Sequence, residues 1–516
     1  MNEQQFWHDL QQLIYQSELD QVQAERISQL AVNTTLPTQL IIQTICQGAV
    51  YLTEQSLLNL STTYPKIPLS ANQQSALEMA LSNSAIALIS GTSATGKTRI
   101  ATTLAQAAIN QRKRVLILTH HSTASSAYCL SSYLPLSQQA YPNGLVEHLR
   151  SQHLAQPQMN YLPLHLLPDQ ELAKLRTPAK LETWLPIIQT ASLSQLIEQL
   201  RTEFPNLPSA RLQLLAYRLK QLTPLLQQQL SISQFYSNLS ESAMMNLAEQ
   251  ISEHSQIPVF GTVAEFMQPH HQLWQTTFDL VIVEQAHYLT WCELLFLSSL
   301  GQKLVLFGET YPKLTEKRNS KQNFFTRFPS CFAWLEKNLL PAYRCCLSEQ
   351  FRLHPAIATP VYLVIADRWI INQRQTDYAL PKLKQRIVWY DVPSQFVTEQ
   401  MLQFITSFEP QLSSQIGIIT FSSQERDWLQ THCSSEFADI FIGTIADWVG
   451  GERAITLVCC SQHSVLPLED LSVALTRGKE YLILFGDYNF WQQPNSPLRT
   501  LLSQPELYKE RTVVLS

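Results

Sequence analysis

The period of the apolar positions divides the chain. From 1 to 68 they recur at helical spacing: Phe6, Leu10, Leu13 and Ile14 share one face, Ile27 and Leu30 follow, and an apolar segment spans 40–58. Pro65 and Pro68 close this helical segment. A helical pattern over 69–77 then leads into short unbroken apolar runs at 86–89 and 115–119, with another helical pattern from Arg99 between them. Strand, helix, strand at this spacing predicts a parallel α/β sheet. Over 134–250 the rhythm breaks into a Leu- and Gln-rich stretch, with helical spacing at Leu193, Leu196, Ile197 and Leu200 and again at Leu212, Leu215 and Leu219. Alternation resumes with strands at 259–262, 278–283 and 303–308. A second α/β region begins near 346. Its expected strands are 386–390, 416–420, 440–444, 455–459 and 481–485, with helices at 399–408 and 425–432.

Four parts follow from this pattern: an N-terminal helical segment (1–68), a first α/β domain (69–133 plus 251–345), a helical insertion within it (134–250) and a second α/β domain (346–516). A length of 516 residues has room for them at roughly 150 residues per domain. The chain is 45% hydrophobic and 15% charged, and no apolar run reaches membrane-spanning length. The start, Met1-Asn2-Glu3-Gln4-Gln5, lacks the basic and apolar pattern of a signal peptide, so a cytoplasmic protein with no membrane partner is expected. The nine cysteines include the neighbours Cys345-Cys346 and Cys459-Cys460 but no C-x-x-C pair, which predicts reduced, mostly buried thiols. His120-His121 and His270-His271 have no ligand partners at useful spacing and read as non-metal positions. A net charge of −5 gives no global basic footprint for nucleic acid, while leaving room for a local groove. The 134–250 stretch holds eight Lys/Arg and eight Asp/Glu, so it offers no basic arm. It reads as amphipathic helices packed on the core, or as a nucleic-acid clamp or partner-docking arm.

The chemistry concentrates first at Gly91-Thr92-Ser93-Ala94-Thr95-Gly96-Lys97-Thr98. This matches G-x-x-x-x-G-K-[ST], with an apolar strand before it and a helical pattern after it, the context a phosphate-binding loop requires. Backbone N–H groups of such a loop, with the helix N-terminus, form an anion cradle. Lys97 would reach the β- and γ-phosphates and the Thr98 hydroxyl would ligate Mg²⁺. A nucleoside triphosphate is the expected ligand.

Further motifs follow in order. Gln73 and Ala76 precede the loop, and Val115-Leu-Ile-Leu-Thr119-His-His-Ser122-Thr123 follows it. Gly261-Thr262 stands before the strand that ends in Glu284-Gln285-Ala286-His287. The second domain holds Leu347-Ser-Glu-Gln350-Phe351-Arg352-Leu353-His354-Pro355, Ile416-Gly-Ile-Ile-Thr420, Thr444-Ile-Ala446-Asp-Trp448-Val449-Gly450-Gly-Glu452 and Val473-Ala-Leu-Thr-Arg477-Gly-Lys479. Together these resemble superfamily 1 helicases, specifically the 5′→3′ RNA-surveillance and senataxin-like branch, over about 69–490 without the insertion. The resemblance implies two RecA-like P-loop NTPase domains that bind ATP and Mg²⁺ in their cleft and act on single-stranded DNA or RNA. It implies Gln73 reading adenine, Phe351 lying against it, Arg352 on the γ-phosphate, Arg477 as the arginine finger, Glu284 near the metal and Glu452 among the ATP-binding groups. Ser122, Thr262, Thr420 and Thr444 would offer hydroxyls to strand phosphates, although such hydroxyls equally often bond local backbone.

Departures from the family cluster on cleavage and coupling. The family has Asp-Glu where this chain has Glu284-Gln285, and a side-chain amide has no basic group to take a proton from the attacking water. Losing a general base typically removes about 10²–10⁴-fold of rate, although glutamine can still orient a water. Gly308-Glu309-Thr310-Tyr311-Pro312 stands where the family has Gly-Asp-x-x-Gln, and Ala446 and Val449 replace Asp and Gln. Gln73, Lys97, Thr98, Arg352, Arg477, Gly450 and Glu452 are kept. Two readings follow. One is an ATP-dependent translocase or helicase on single-stranded DNA or RNA, its hydrolysis weakened by Gln285. The other is an ATP-binding pseudo-helicase, a nucleotide-controlled switch or scaffold with little hydrolysis, docking a protein partner through 134–250 or 1–68. A different phosphate-loop enzyme such as a kinase fits poorly with the arginine motifs of the second domain.

Overall fold

The computed structural model describes residues 1–17, 21–29, 35–50, 69–120, 134–135, 178–205, scattered positions from 209 to 230, 258–267, 277–309, 323–365, 370–374, 383, 385–448, 451–461, 466–504 and 507–511. The chain forms two compact units, Met1–Cys129 with Thr262–Ser516, and Leu130–Gly261.

In the larger unit the helices Glu3–Gln16, Gln21–Ser28 and Leu36–Gln47 come first. Phe6 and Leu10 bury the apolar face of the first helix, and Phe6 meets the Phe325 ring edge-on at 5.8 Å. Asp9, buried on the same helix, accepts the Phe324 N–H at 3.0 Å. Thr35 donates to the Ser298 carbonyl at 2.6 Å, so the third helix is also tied to the body of the unit. Ser70 then caps the helix Ala71–Leu81 in a reciprocal box with Gln73. It leads to strand β1 (Ile86–Gly91), the helix Lys97–Asn110 and strand β2 (Val115–Thr119).

The smaller unit holds β3 (Leu134–Pro135), which pairs in parallel with β4 (Val259–Thr262), all of β4 but its last residue, and the helices Pro178–Thr190 and Leu193–Glu203. Trp184, Ile188, Leu196, Leu200, Leu215 and Leu219 build its core; of the leucines at helical spacing Leu193 is instead exposed.

The larger unit continues with β5 (Phe278–Val283), β6 (Gly301–Gly308) and β7 (Arg344–Leu347). Within it the first sheet runs β2-β5-β6-β1-β7, every pairing parallel. β1 and β2 are buried along their whole length, as strands covered by helices on both faces must be. Because β7 pairs with β1 from Leu88↔Arg344 to Gly91↔Leu347, the first sheet extends past residue 345 to Leu347.

Two short strands, β8 (Glu349–Gln350) and β9 (Ile371–Asn372), flank the helix Pro355–Ile365. The second sheet comprises β10 (Ile387–Asp391), β11 (Ile416–Thr420), β12 (Phe441–Thr444), β13 (Arg453–Cys460), β14 (Gly478–Gly486) and β15 (Tyr508–Arg511), ordered β12-β11-β13-β14-β10-β15 and parallel throughout. Alternate residues serve opposite faces. Leu482 and Leu484 join Trp389, Val361 and Leu475 on one side, while Tyr481 and Ile483 join Val388, Met401 and Leu429 on the other. The architecture is mixed α/β, with parallel sheets flanked by helices, consistent with a RecA-like fold. The eight described cysteines are free, and Cys292, Cys331, Cys459 and Cys460 are buried.

Candidate functional site

In an open parallel sheet the usable chemistry lies beyond the carboxyl ends of the strands. Here the register sets Ser90 beside Gly308 and Leu306 beside Val283, so Gly91, Glu284 and Glu309 leave the sheet at one edge. Gly91 must be glycine: a Cβ there would lie 2.6 Å from the Thr95 hydroxyl oxygen and 3.0 Å from the Leu347 Cβ on neighbouring β7. The loop then turns through two left-handed residues, Ala94 (φ 72°) and Gly96 (φ 87°), and Thr95 donates to the Thr92 carbonyl at 2.8 Å to close it. Gly96 caps the helix Lys97–Asn110 without a side-chain hydrogen bond, leaving first-turn N–H groups for an external acceptor. Such an end favours an anion.

The Lys97 ammonium is folded back over this cradle. It donates to the carbonyls of Gly91 and Thr92 at 2.7 and 2.8 Å, and pairs with the Glu309 carboxylate at 3.1 Å. The same carboxylate accepts Ser93 Oγ at 3.1 Å and Ser472 Oγ at 3.4 Å, and the Glu309 N–H donates to His287 Nδ1 at 3.2 Å. Thr98, the next loop residue, is half-buried.

The second-sheet segment reaches the loop through its backbone and one phenol. Phe351 N–H donates to the Ala94 carbonyl at 3.2 Å, and Tyr362 Oη donates to the Ser93 carbonyl at 2.8 Å. Burial pushes the Tyr362 phenol up, so it stays a donor. Arg352 pairs with Glu452 at 2.8 Å, and Glu452 also contacts Lys479. Burial alone would raise the Glu452 carboxyl, but Arg352 and Lys479 together hold it below its usual value. Arg477 is buried one residue before β14, and its charge and that of Arg352 both bear on the Tyr362 phenol.

Past the end of β5, Glu284 is buried and its N–H is bonded to the Leu118 carbonyl at 2.8 Å. Gln285 adopts φ 56°, unusual for a residue with a side chain and a mark of a constrained site. Its amide oxygen accepts the His120 N–H at 3.2 Å. Tyr288 stacks on His120 at 4.9 Å, closing this corner against β2.

Loop residues 91–98, Phe351, Arg352 and Arg477 therefore gather around one strand-end edge. Gln73 also touches the loop, from below. The threonines do not gather there. Thr262 caps its helix with Glu265 (Oγ1 to Oε2 2.9 Å), Thr444 bonds Asp447 (2.8 Å) and Thr420 donates to the Ser422 carbonyl (3.0 Å). Ser122 and Gly450 lie outside the described residues, as do Thr310, Tyr311, Pro312 and Val449. Tyr362 and Ser472, and the contact that His287 makes with Glu309, escaped the sequence reading because each joins positions distant in sequence, which no local pattern encodes. Among the described residues no group of three or more His, Cys, Asp or Glu could hold a metal ion, and no helix is long and apolar enough to cross a membrane. Thr98 and Glu284 would suit only a cation that also takes ligand phosphates and water, as Mg²⁺ does.

No protein-family model matches the chain, and no curated protein matches it. Among solved structures it is similar in part to one described as "The structure of PRRSV helicase", with a TM-score of 0.28 and 11% sequence identity. That likeness covers 46% of this chain and 39% of the other, and is too loose to bear on function.

Proposed function

We propose that the chain is a helicase-like, nucleoside-triphosphate-binding protein with two RecA-like halves, working as a nucleotide-controlled switch that hydrolyses ATP slowly. The observation that supports this most is the grip of the second-sheet segment on the 91–98 loop, through Phe351 N–H on Ala94 and Tyr362 Oη on Ser93. A ligand seated in that cradle would be sensed by both halves at once. Its phosphates would take the loop N–H groups and the Lys97 ammonium, displacing Glu309, while Arg352 would exchange Glu452 for a phosphate oxygen. Two guanidiniums, Arg352 and Arg477, suit charge spread over a terminal phosphate. Thr98 and Glu284 are the groups that would hold Mg²⁺, whose charge would offset that of the phosphates. Slow hydrolysis follows from Gln285, which has no proton-accepting group and whose amide oxygen is engaged by His120.

A second reading, ATP-driven movement along single-stranded DNA or RNA, is favoured by the retention of Arg352 and Arg477. The local bonds of Thr262, Thr420 and Thr444 weigh against it. One experiment separates the two: ATP binding and turnover with and without single strands, for the wild type, Lys97→Ala and Gln285→Glu. The switch reading expects wild-type binding that Lys97→Ala abolishes, and slow turnover indifferent to strands. Strand-stimulated turnover at an ordinary helicase rate would replace it with the second reading, and no ATP binding at all would end both.

A further inference from the structure

Gln73 stands where a base-reading glutamine is expected, yet its side chain is spent elsewhere. It is 3% exposed. Its Oε1 accepts the Ser70 N–H at 3.2 Å, completing the cap of the helix Ala71–Leu81, and its Nε2 donates to the Thr95 carbonyl at 3.0 Å. The amide also lies directly beneath Gly96, where an added Cβ would overlap Nε2. The left-handed turn at Gly96 thus rests on this side chain.

The polar groups around it are similarly committed. Asn72 accepts the Ser348 N–H at 2.9 Å and donates to the Cys346 carbonyl at 3.3 Å. Ser70 Oγ bonds the Glu349 carboxylate, which also accepts Gln373 Nε2 at 3.0 Å. These contacts strap the helix start to β7 and β8 and hold Gln73 against the loop. Phe351, by contrast, is 39% exposed. A ring face stacks on any base without reading its edge.

We infer that Gln73 is a positioning residue for the phosphate-binding loop and not a reader of the base, so that the site accepts nucleoside triphosphates whatever their base. This rests on the nucleoside-triphosphate reading above. A base-reading amide would lower affinity only for the base it recognises. A loop-positioning amide acts on the phosphates, so its loss weakens every ligand that carries them, including one with no base at all.

The test is competition against a fluorescent ATP analogue on the full chain, using ATP, GTP, CTP, UTP and inorganic tripolyphosphate. Wild-type affinities for the four nucleotides are expected within about threefold of one another. Gln73→Ala should weaken all four and tripolyphosphate by a common factor of about ten, the worth of one hydrogen bond between buried neutral groups. Gln73→Glu keeps the oxygen that caps Ser70 but sets a carboxylate oxygen against the Thr95 carbonyl, and should weaken all five ligands at least as much on an intact helix cap. A wild type that prefers ATP over UTP by more than tenfold, with the preference lost in Gln73→Ala and tripolyphosphate binding unchanged, would overturn the inference. If the wild type binds neither tripolyphosphate nor any nucleotide, it is the nucleoside-triphosphate reading that fails.

Discussion

A carboxylate in place of the Gln285 amide differs by little in shape, yet it supplies a proton acceptor at a position that has none. Gln285→Glu is expected to raise ATP turnover by about 10²-fold, the usual lower bound for a general base; an unchanged phosphate-release rate would show that the block lies elsewhere. Glu309 acts in the opposite sense. Its carboxylate sits on Lys97 at 3.1 Å, where a phosphate would be held, so Glu309→Gln should tighten ATP binding by about tenfold, or ~1.4 kcal/mol, in a titration. Lys97, Thr98, Arg352 and Arg477 were legible in the sequence because a loop or a motif announces each within a few residues. The pairing of Lys97 with Glu309 was not, since it spans 212 positions and nothing local to either residue encodes it. Gln73 is subtler: its position in a motif suggests a base as partner, whereas its side chain is buried and makes two internal bonds that no local pattern announces.

Among elements, the apolar strands were easy to read, the edge strand Phe441–Thr444 among them, and two other edge strands were not. Val115–Thr119 and Phe278–Val283 announce themselves as apolar runs and fall where expected. Arg344–Leu347 is only four residues long and Tyr508–Arg511 is short and mostly charged; among the described residues each lies at a sheet edge, where one flank has no neighbouring strand to demand a longer apolar pattern. Two elements carry predictions. In the helix Glu3–Gln16, Asp9→Ala would leave the Phe324 N–H without its acceptor, and should lower stability by about 1–3 kcal/mol in chemical denaturation. In the helix Ser423–His432, burial pushes the Glu425 carboxyl up to about 7 from 4.5, and its Oε1 contacts Ser461 on the exit from β13. The folded state therefore binds a proton more readily than the unfolded chain. The stabilisation is complete below pH 4.5 and is lost as pH rises through 7. Glu425→Gln should accordingly raise the melting temperature at pH 8 more than at pH 5; equal shifts at both would remove Glu425 as the titrating group.

At the scale of the whole molecule, two parallel sheets share one compact unit, and Phe351, Tyr362 and Ser472 from the second meet the loop and Glu309 of the first. A ligand filling the loop would add its binding energy to the stability of that unit. ATP at a hundred times its dissociation constant is expected to stabilise the fold by about 2.7 kcal/mol, visible as a higher melting temperature in the wild type and absent in Lys97→Ala. Glu309 carries one more consequence. As a carboxylate tethered to the fold, it faces Lys97 at an effective concentration on the order of millimolar or more. Chloride, acetate or any other monoanion brings no more charge than the group it must evict, and arrives from dilute solution. Only a ligand with several negative charges and several contacts can win that exchange, so the loop should ignore simple salts and discriminate sharply by the number of phosphates.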